Sequence, residues 1–286
     1  MELAVVLINT IKKQLDSACD ILAHHSPSAR LDAEVLLAFV LGKNRSYLRA
    51  WDDKELDLCV IEQFAQLLSK RCVGVPIAYL TERREFWSRD FKVSPAVLIP
   101  RPDTELLIEL CLERLSMDQK CAILDLGTGS GAIAITIAAE RPLVQITAVD
   151  KSVEALDIAK ENAVRHDCQH IEFVLSDWLS ALSTEATFDF ILSNPPYIAQ
   201  DDVHLSQGDV RFEPMSALVA ADNGLYDIKK IASDAKKHLR VGGQLWFEHG
   251  YNQAQETQAI LKSLNYCNVK TYVDLSGQPR VTMGFI

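Results

Sequence analysis

The chain has 286 residues, 48% of them hydrophobic, and a formal net charge of −10. That length suits one large domain or two smaller ones, and the apolar share is enough for a sizeable core. With that acidic balance a general affinity for nucleic-acid backbone is not expected, although a local basic patch is still compatible with it.

The N-terminus, "MELAVVLINTIKKQLD", has an acid before its apolar run and lysines after it. That is the wrong charge order for a signal peptide. No apolar run approaches the ~18–20 residues that span a bilayer. A soluble, cytoplasmic protein with no membrane partner is expected. Within residues 1–75, Val5, Ile8, Ile11, Leu15 and Leu22 lie near a 3.6-residue period. "SPSARLDAEVLLAFVLG" has Ser and Pro at its start and Gly42 at its end, and "CVIEQFAQLLSKRC" is a third amphipathic run. These residues predict a small helical domain with no catalytic constellation, assigned to partner docking. His24 and His25 read as a solvated helix end. The seven cysteines, Cys19, Cys59, Cys72, Cys111, Cys121, Cys168 and Cys267, form no C-x-x-C pair. They read as reduced thiols, and no metal site is expected.

Residues 76–100 alternate aromatic and β-branched with polar residues, and "KVSPAV" supplies a turn, so a β-hairpin linker is predicted. "RPDTELLIELCLERL" then begins a helix, with Pro102 and acids in its first turn. From residue 121 strands alternate with helices. "CAILDLG", "VQITAVD", "IEFVLSD", "FDFILSN" and "GGQLWFEHG" read as strands, and the tail as a hairpin across "SGQP". This predicts an α/β fold, a doubly wound, mostly parallel sheet of seven strands with an antiparallel edge.

Gly127, Gly129 and Gly131 lie between the first of these strands and its helix, with Thr128 and Ser130 between them. Such a turn lets backbone approach a ligand closely. With Ala132 it also fits the dinucleotide pattern. Asp150 ends the next strand, where an acid accepts from both ribose hydroxyls. That role serves NAD and S-adenosylmethionine alike. Asp125, beside the glycine turn, is poorly placed for a pyrophosphate and suits a cationic amino group and a sulfonium, which favours S-adenosylmethionine. Asp177 offers an acceptor for an adenine amino group, and Trp178 a face for the ring.

The fourth strand runs into Asn194-Pro195-Pro196-Tyr197. Ligands of open α/β sheets sit outside the carboxyl ends of the strands. Two prolines stiffen the turn and present carbonyls with no adjacent N–H. Asn194 adds a side-chain carbonyl. Two rigid acceptors suit one NH₂ group, with Tyr197 as a ring wall. Gripping both N–H bonds positions a poor amide nucleophile for methyl transfer.

"NPPY" after "DLGTGSG" resembles the amino-methyltransferases, which include adenine-N6 DNA methylases and protein glutamine methylases. "FKVSPAVLIPRPDTE", "GVPIAYL", "REFW", "SDW", "RFEPMSAL" and "DNGLYDI" narrow the likeness. Together they resemble the peptide chain release factor N5-glutamine methyltransferases, the PrmC/HemK family, over nearly the whole chain. The related ribosomal-protein methylase would read Pro-Arg-Ser-Pro near residue 100, where this chain has Pro100-Arg101-Pro102-Asp103. The resemblance implies a Rossmann-like S-adenosylmethionine-dependent methyltransferase domain over residues 101–286. It implies Gly127 to Gly131 at the methionine end of the cofactor, Asp150 on the ribose and Trp178 by the adenine. Asn194 to Tyr197 would bind the substrate, with Asn194 Oδ1 and the Pro195 carbonyl on its amide. The implied substrate is the glutamine of the Gly-Gly-Gln loop of class 1 release factors, a protein partner, with no direct nucleic-acid contact. Ribosomal-protein glutamine and adenine-N6 DNA methylation are the alternatives. Arg101 and Glu213 are read as closing the site.

Overall fold

The computed structural model describes residues 9–286, so Val5 and Ile8 of the first helical run lie outside the described residues. The chain divides into two compact units. One runs to Arg83 and also takes in Gln207–Phe212; the other comprises Arg84–Ser206 and Glu213–Ile286.

The first unit is helical: α1 (Ile11–Leu22), α2 (Ala29–Leu41), α3 (Arg45–Ala50), α4 (Leu58–Cys72) and α5 (Ile77–Thr81). The periodic residues Ile11, Leu15 and Leu22 meet Leu36, Leu37 and Phe64 in its core. Asn44 caps α3 by accepting from the Tyr47 N–H at 2.9 Å. Two carboxylates of α2 are buried here, and both are neutralised by arginine. Asp32 receives Arg71 at 2.7 Å, and Glu34 receives Arg45 at 2.7 Å. Arg71 also reaches Asp209 at 3.4 Å, and Arg211 donates to the Val73 carbonyl at 2.8 Å. These contacts fasten Gln207–Phe212 to the C-terminal end of α4.

The hairpin, β1 (Arg83–Phe86) and β2 (Arg89–Lys92), is shorter than the 76–100 stretch in which it is expected. Ile77–Thr81 is helical because Pro76 sits at its start and Tyr79, Leu80 and Thr81 bury. The reversal falls at Trp87 and Ser88, both left-handed at φ +52° and +55°. Two such residues match the twist of the strands they join. "KVSPAV" makes a separate turn, in which the Val97 N–H donates to the Ser94 carbonyl at 3.0 Å.

The second unit continues with α6 (Thr104–Leu112), β3 (Ala122–Leu126), α7 (Ala132–Glu140), β4 (Gln145–Asp150), α8 (Val153–Arg165), β5 (Glu172–Leu175) and β6 (Phe188–Ser193). After two short 3₁₀ turns come α9 (Met215–Leu218), the one-turn α10 (Ala221–Gly224), α11 (Tyr226–Ala235), β7 (Leu239–Glu248), α12 (Ala254–Ser263), β8 (Cys267–Val273) and β9 (Pro279–Phe285). The sheet has seven strands in the order β5-β4-β3-β6-β7-β9-β8. β5 through β7 are parallel, and β9 joins β7 and β8 antiparallel. The expected mostly parallel doubly wound sheet is therefore present. Its strands read as continuous apolar runs because both faces are covered. Ile123, Phe190 and Leu192 pack on one side with α6 and α7, and Leu124, Ile191 and Leu245 on the other with α11. Between β3 and β6 the winding reverses, which is where a doubly wound sheet opens a crevice for ligand.

Candidate active site

The crevice is present at that reversal. Leu126 of β3 pairs with Ser193 of β6, so the glycine turn and Asn194 leave the sheet side by side. The Ser193 hydroxyl donates to the Leu126 carbonyl at 2.8 Å and locks the two strand ends together. A cleft open to solvent lies above them. Gly127 to Ser130, Asp150, Trp178, Asn194 and Pro196 line it, together with Arg101, Thr104 and Pro214.

The turn after β3 is built from backbone bonds. The Gly127 and Thr128 N–H groups both donate to the Val149 carbonyl at 2.9 Å. Gly127 has φ +75°, and a Cβ there would stand 3.2 Å from the Trp178 ring, so glycine is required for the indole to lie this close. Gly131 is the N-cap of α7 and faces Ile135 and Ala159 rather than the cleft. Asn162 of α8 braces the turn from behind, donating to the Ser130 carbonyl at 2.8 Å.

Asp150 does reach the cleft. Its Oδ2 accepts from the Gly129 N–H at 2.9 Å and its Oδ1 from the Ser152 N–H at 3.0 Å. Each carboxylate oxygen keeps a second lone pair for a ligand hydroxyl. Trp178 is held by Asp227 of α11, whose Oδ1 accepts from the indole N–H at 3.0 Å. Asp177 also lines the cleft, with Lys230 on its Oδ2 at 2.8 Å.

Asp125 departs from expectation. It is fully buried and takes no part in the cleft wall. Its Oδ2 accepts from the Thr128 hydroxyl at 2.7 Å, so it braces the turn from beneath. Burial pushes its carboxyl up to about 7, against the pull of that hydroxyl.

The Asn194 to Tyr197 turn is supported from three directions. Asn194 Nδ2 donates to Thr104 Oγ1 at 3.1 Å, which leaves Oδ1 as the free end of the carboxamide. Pro195 is buried, and Tyr197 does not form the expected ring wall: it is absent from the cleft lining, and its hydroxyl donates to Glu248 Oε1 at 3.4 Å. Gln253 donates to the Tyr197 carbonyl at 2.9 Å and to the Asn223 carbonyl at 3.1 Å. The Ile198 N–H donates to the Leu218 carbonyl at 2.9 Å. Arg101, part of the cleft lining, donates to the buried Glu213 at 2.6 Å.

Sequence reasoning passed over Thr104, Asp227, Glu248 and Gln253. Glu248 carried a usable signal, an acid ending an apolar strand, the same signal that singles out Asp150. The other three act through contacts remote in sequence, which no local pattern announces. Among the described residues no cluster suited to a metal is found, and no helix is long and apolar enough to cross a membrane.

A family model described as "Methyltransferase small domain" matches residues 103–212, and one described as "PrmC N-terminal domain" matches residues 14–81. The chain is 48% identical over 276 residues to a release factor glutamine methyltransferase of Vibrio cholerae, covering 96% of both chains. It is 49% identical to one from Shewanella oneidensis, covering 92% of this chain and 91% of the relative. Among solved structures, the T. thermophilus 16S rRNA N2 G1207 methyltransferase in complex with AdoMet and guanosine has the same fold. Its TM-score is 0.52 at 20% identity, over 71% of this chain and 49% of that one.

Proposed function

Because this chain belongs to the release factor glutamine methyltransferase family, we propose that it methylates the side-chain amide nitrogen of the glutamine in the Gly-Gly-Gln loop of class 1 release factors. S-adenosylmethionine is the cofactor. The cleft suits it. Gly127 leaves room for Trp178 beside the turn, and Asp150 offers acceptors in the wall for a ribose. When bound, S-adenosylmethionine supplies a methyl group made electrophilic by the sulfonium.

The chain's own residues then account for the rest. Gly127 to Ser130, Asp150, Asp177 and Trp178 hold the cofactor. Asn194 Oδ1 and the Pro195 carbonyl each accept one N–H of the substrate carboxamide. The Thr104 contact fixes the Asn194 carboxamide before substrate arrives, so less ordering remains to be done in the transition state. Gripping both hydrogens aims the nitrogen lone pair at the methyl carbon. With the cofactor held there, the chain's own part would be to keep the amide nitrogen in line with the methyl group, and the amide proton released on transfer would pass to solvent at the open cleft.

The observation that carries this reading is the tether on Asn194 Nδ2, which leaves the carbonyl oxygen as the end available to an NH₂ donor. The test is transfer of label from radiolabelled S-adenosylmethionine. Label is expected in an intact class 1 release factor and not in DNA or ribosomal protein. Label in either of the latter alone would overturn the proposal.

A further inference from the structure

We propose that Glu248, acting through Thr104, sets the direction of the Asn194 carboxamide and is a positioning residue for methyl transfer. This rests on the reading of Asn194 as the grip on the substrate amide. Glu248 is the last residue of β7, fully buried, and the pairing of Ser193 with Phe247 sets it level with Asn194. Thr104, the first residue of α6, lines the cleft and accepts from Asn194 Nδ2 at 3.1 Å.

A carboxamide in this position has two orientations. One presents Oδ1 to the substrate, the other Nδ2. The substrate nitrogen is a donor, so only the first binds it; the second sets donor against donor. What separates them is which way the single Thr104 proton points. If it points at Asn194, the carboxamide turns over to meet it with Oδ1. If it points away, Oγ1 is left as an acceptor and Nδ2 is held there.

Glu248 decides between the two. An ionised carboxylate only accepts. Its Oε1 has the Tyr197 hydroxyl, while its Oε2 is buried with no hydrogen bond closed on it. A buried open acceptor is costly. The Thr104 hydroxyl faces this carboxyl and favours its charged form, as does Arg280, while Asp103 opposes it. The rotatable Thr104 proton is therefore drawn to Glu248, and the sequence of donors runs from Asn194 through Thr104 to Glu248.

The experiment compares Thr104→Val, Thr104→Ser, Glu248→Gln and Asn194→Ala in the full-length protein. It reads single-turnover methyl transfer to a release factor across pH, and cofactor affinity by calorimetry. Thr104→Val keeps the shape and removes the hydroxyl. Glu248→Gln keeps the shape, removes a buried charge and can donate, which reverses the chain. Each is expected to slow transfer by about 10²-fold, the scale of losing one preorganised partner of the reacting group. Cofactor affinity is expected to stay within about threefold of the parent, well under 1 kcal/mol. Thr104→Ser should transfer at close to the parent rate, which a purely packing role for the methyl group would not allow. The parent rate should rise with pH as Glu248 ionises, and that rise should vanish in Glu248→Gln. Parent-like transfer in Thr104→Val and Glu248→Gln, with Asn194→Ala inactive, would overturn this proposal alone. Parent-like transfer in Asn194→Ala would instead remove the reading of Asn194 on which it rests.

Discussion

At the scale of single residues, the proposed reading puts Asp150 and Trp178 on a cofactor side and Asn194 on a substrate side, and substitutions should respect that division. Asn194→Asp keeps an acceptor and the size but adds a charge near the sulfonium. Such a charge stabilises the cation most before transfer, when its charge is greatest, and only interactions stronger in the transition state accelerate the step. Cofactor affinity should hold or rise while turnover falls by about 10²-fold or more, the scale of a lost transition-state partner. Calorimetry beside single-turnover assays checks this, and parent-like turnover would contradict it. Asp125 makes a different kind of prediction. Burial raises its carboxyl from 3.8 to about 7. The native state then holds this proton more tightly than the unfolded chain does, so the contribution to stability falls as pH rises between those two values and is flat above. Asp125→Asn keeps an acceptor for the Thr128 hydroxyl and cannot ionise. Its melting temperature should exceed the parent's by more at pH 8 than at pH 5, and an equal gap at both would show that Asp125 does not titrate in this range.

At the scale of elements, the turn at Asn194 is only as rigid as the segments packed on it. Asp222 and Asn223 in α10 are left-handed, at φ +56° and +54°, and Gly224 follows at +83°. A Cβ on Gly224 would lie 2.1 Å from the Tyr197 carbonyl oxygen and 2.7 Å from Gln253 Nε2. Gly224→Ala should therefore cost about 1–3 kcal/mol and displace the turn. Denaturant melts should show the loss, and methyl transfer should fall with cofactor affinity largely kept; unchanged transfer would mean that Gln253 and α10 do not hold Tyr197. Such support explains what the sequence could and could not disclose. β3, β4 and β6 were legible because strands covered on both faces are apolar throughout, and the glycine turn because residue types declare it. The hairpin turn at Trp87 and Ser88 was not, since neither residue type advertises a left-handed conformation. α11 carries Ile228, Ile231, Ala232 and Ala235 at helical spacing, a legible pattern that went unread beside the stronger motifs around it. Gln253 on Tyr197, and Thr104 beneath Asn194, join residues 56 and 90 apart and are visible only in the fold.

At the scale of the whole molecule, we propose that the helical unit holds the protein substrate, since the residues proposed for the reaction all lie in the other unit. Removing residues 1–75, which hold α1 to α4, should leave cofactor binding and methylation of a short Gly-Gly-Gln peptide near the parent level. Methylation of an intact release factor should fall. Equal rates on the intact factor for both proteins would refute the assignment. The second unit brings the glycine turn and the Asn194 turn to adjacent strand ends, and the central claim is that the first holds S-adenosylmethionine and the second an NH₂ group for one reaction on one glutamine. Mass spectrometry of a class 1 release factor after incubation with the protein and S-adenosylmethionine tests it most directly. The expected result is a single added methyl group on the side chain of the Gly-Gly-Gln glutamine, absent with Asn194→Ala and absent when that glutamine is replaced by glutamate. A methyl group on another residue, or one that persists in the glutamate-substituted factor, would contradict the account.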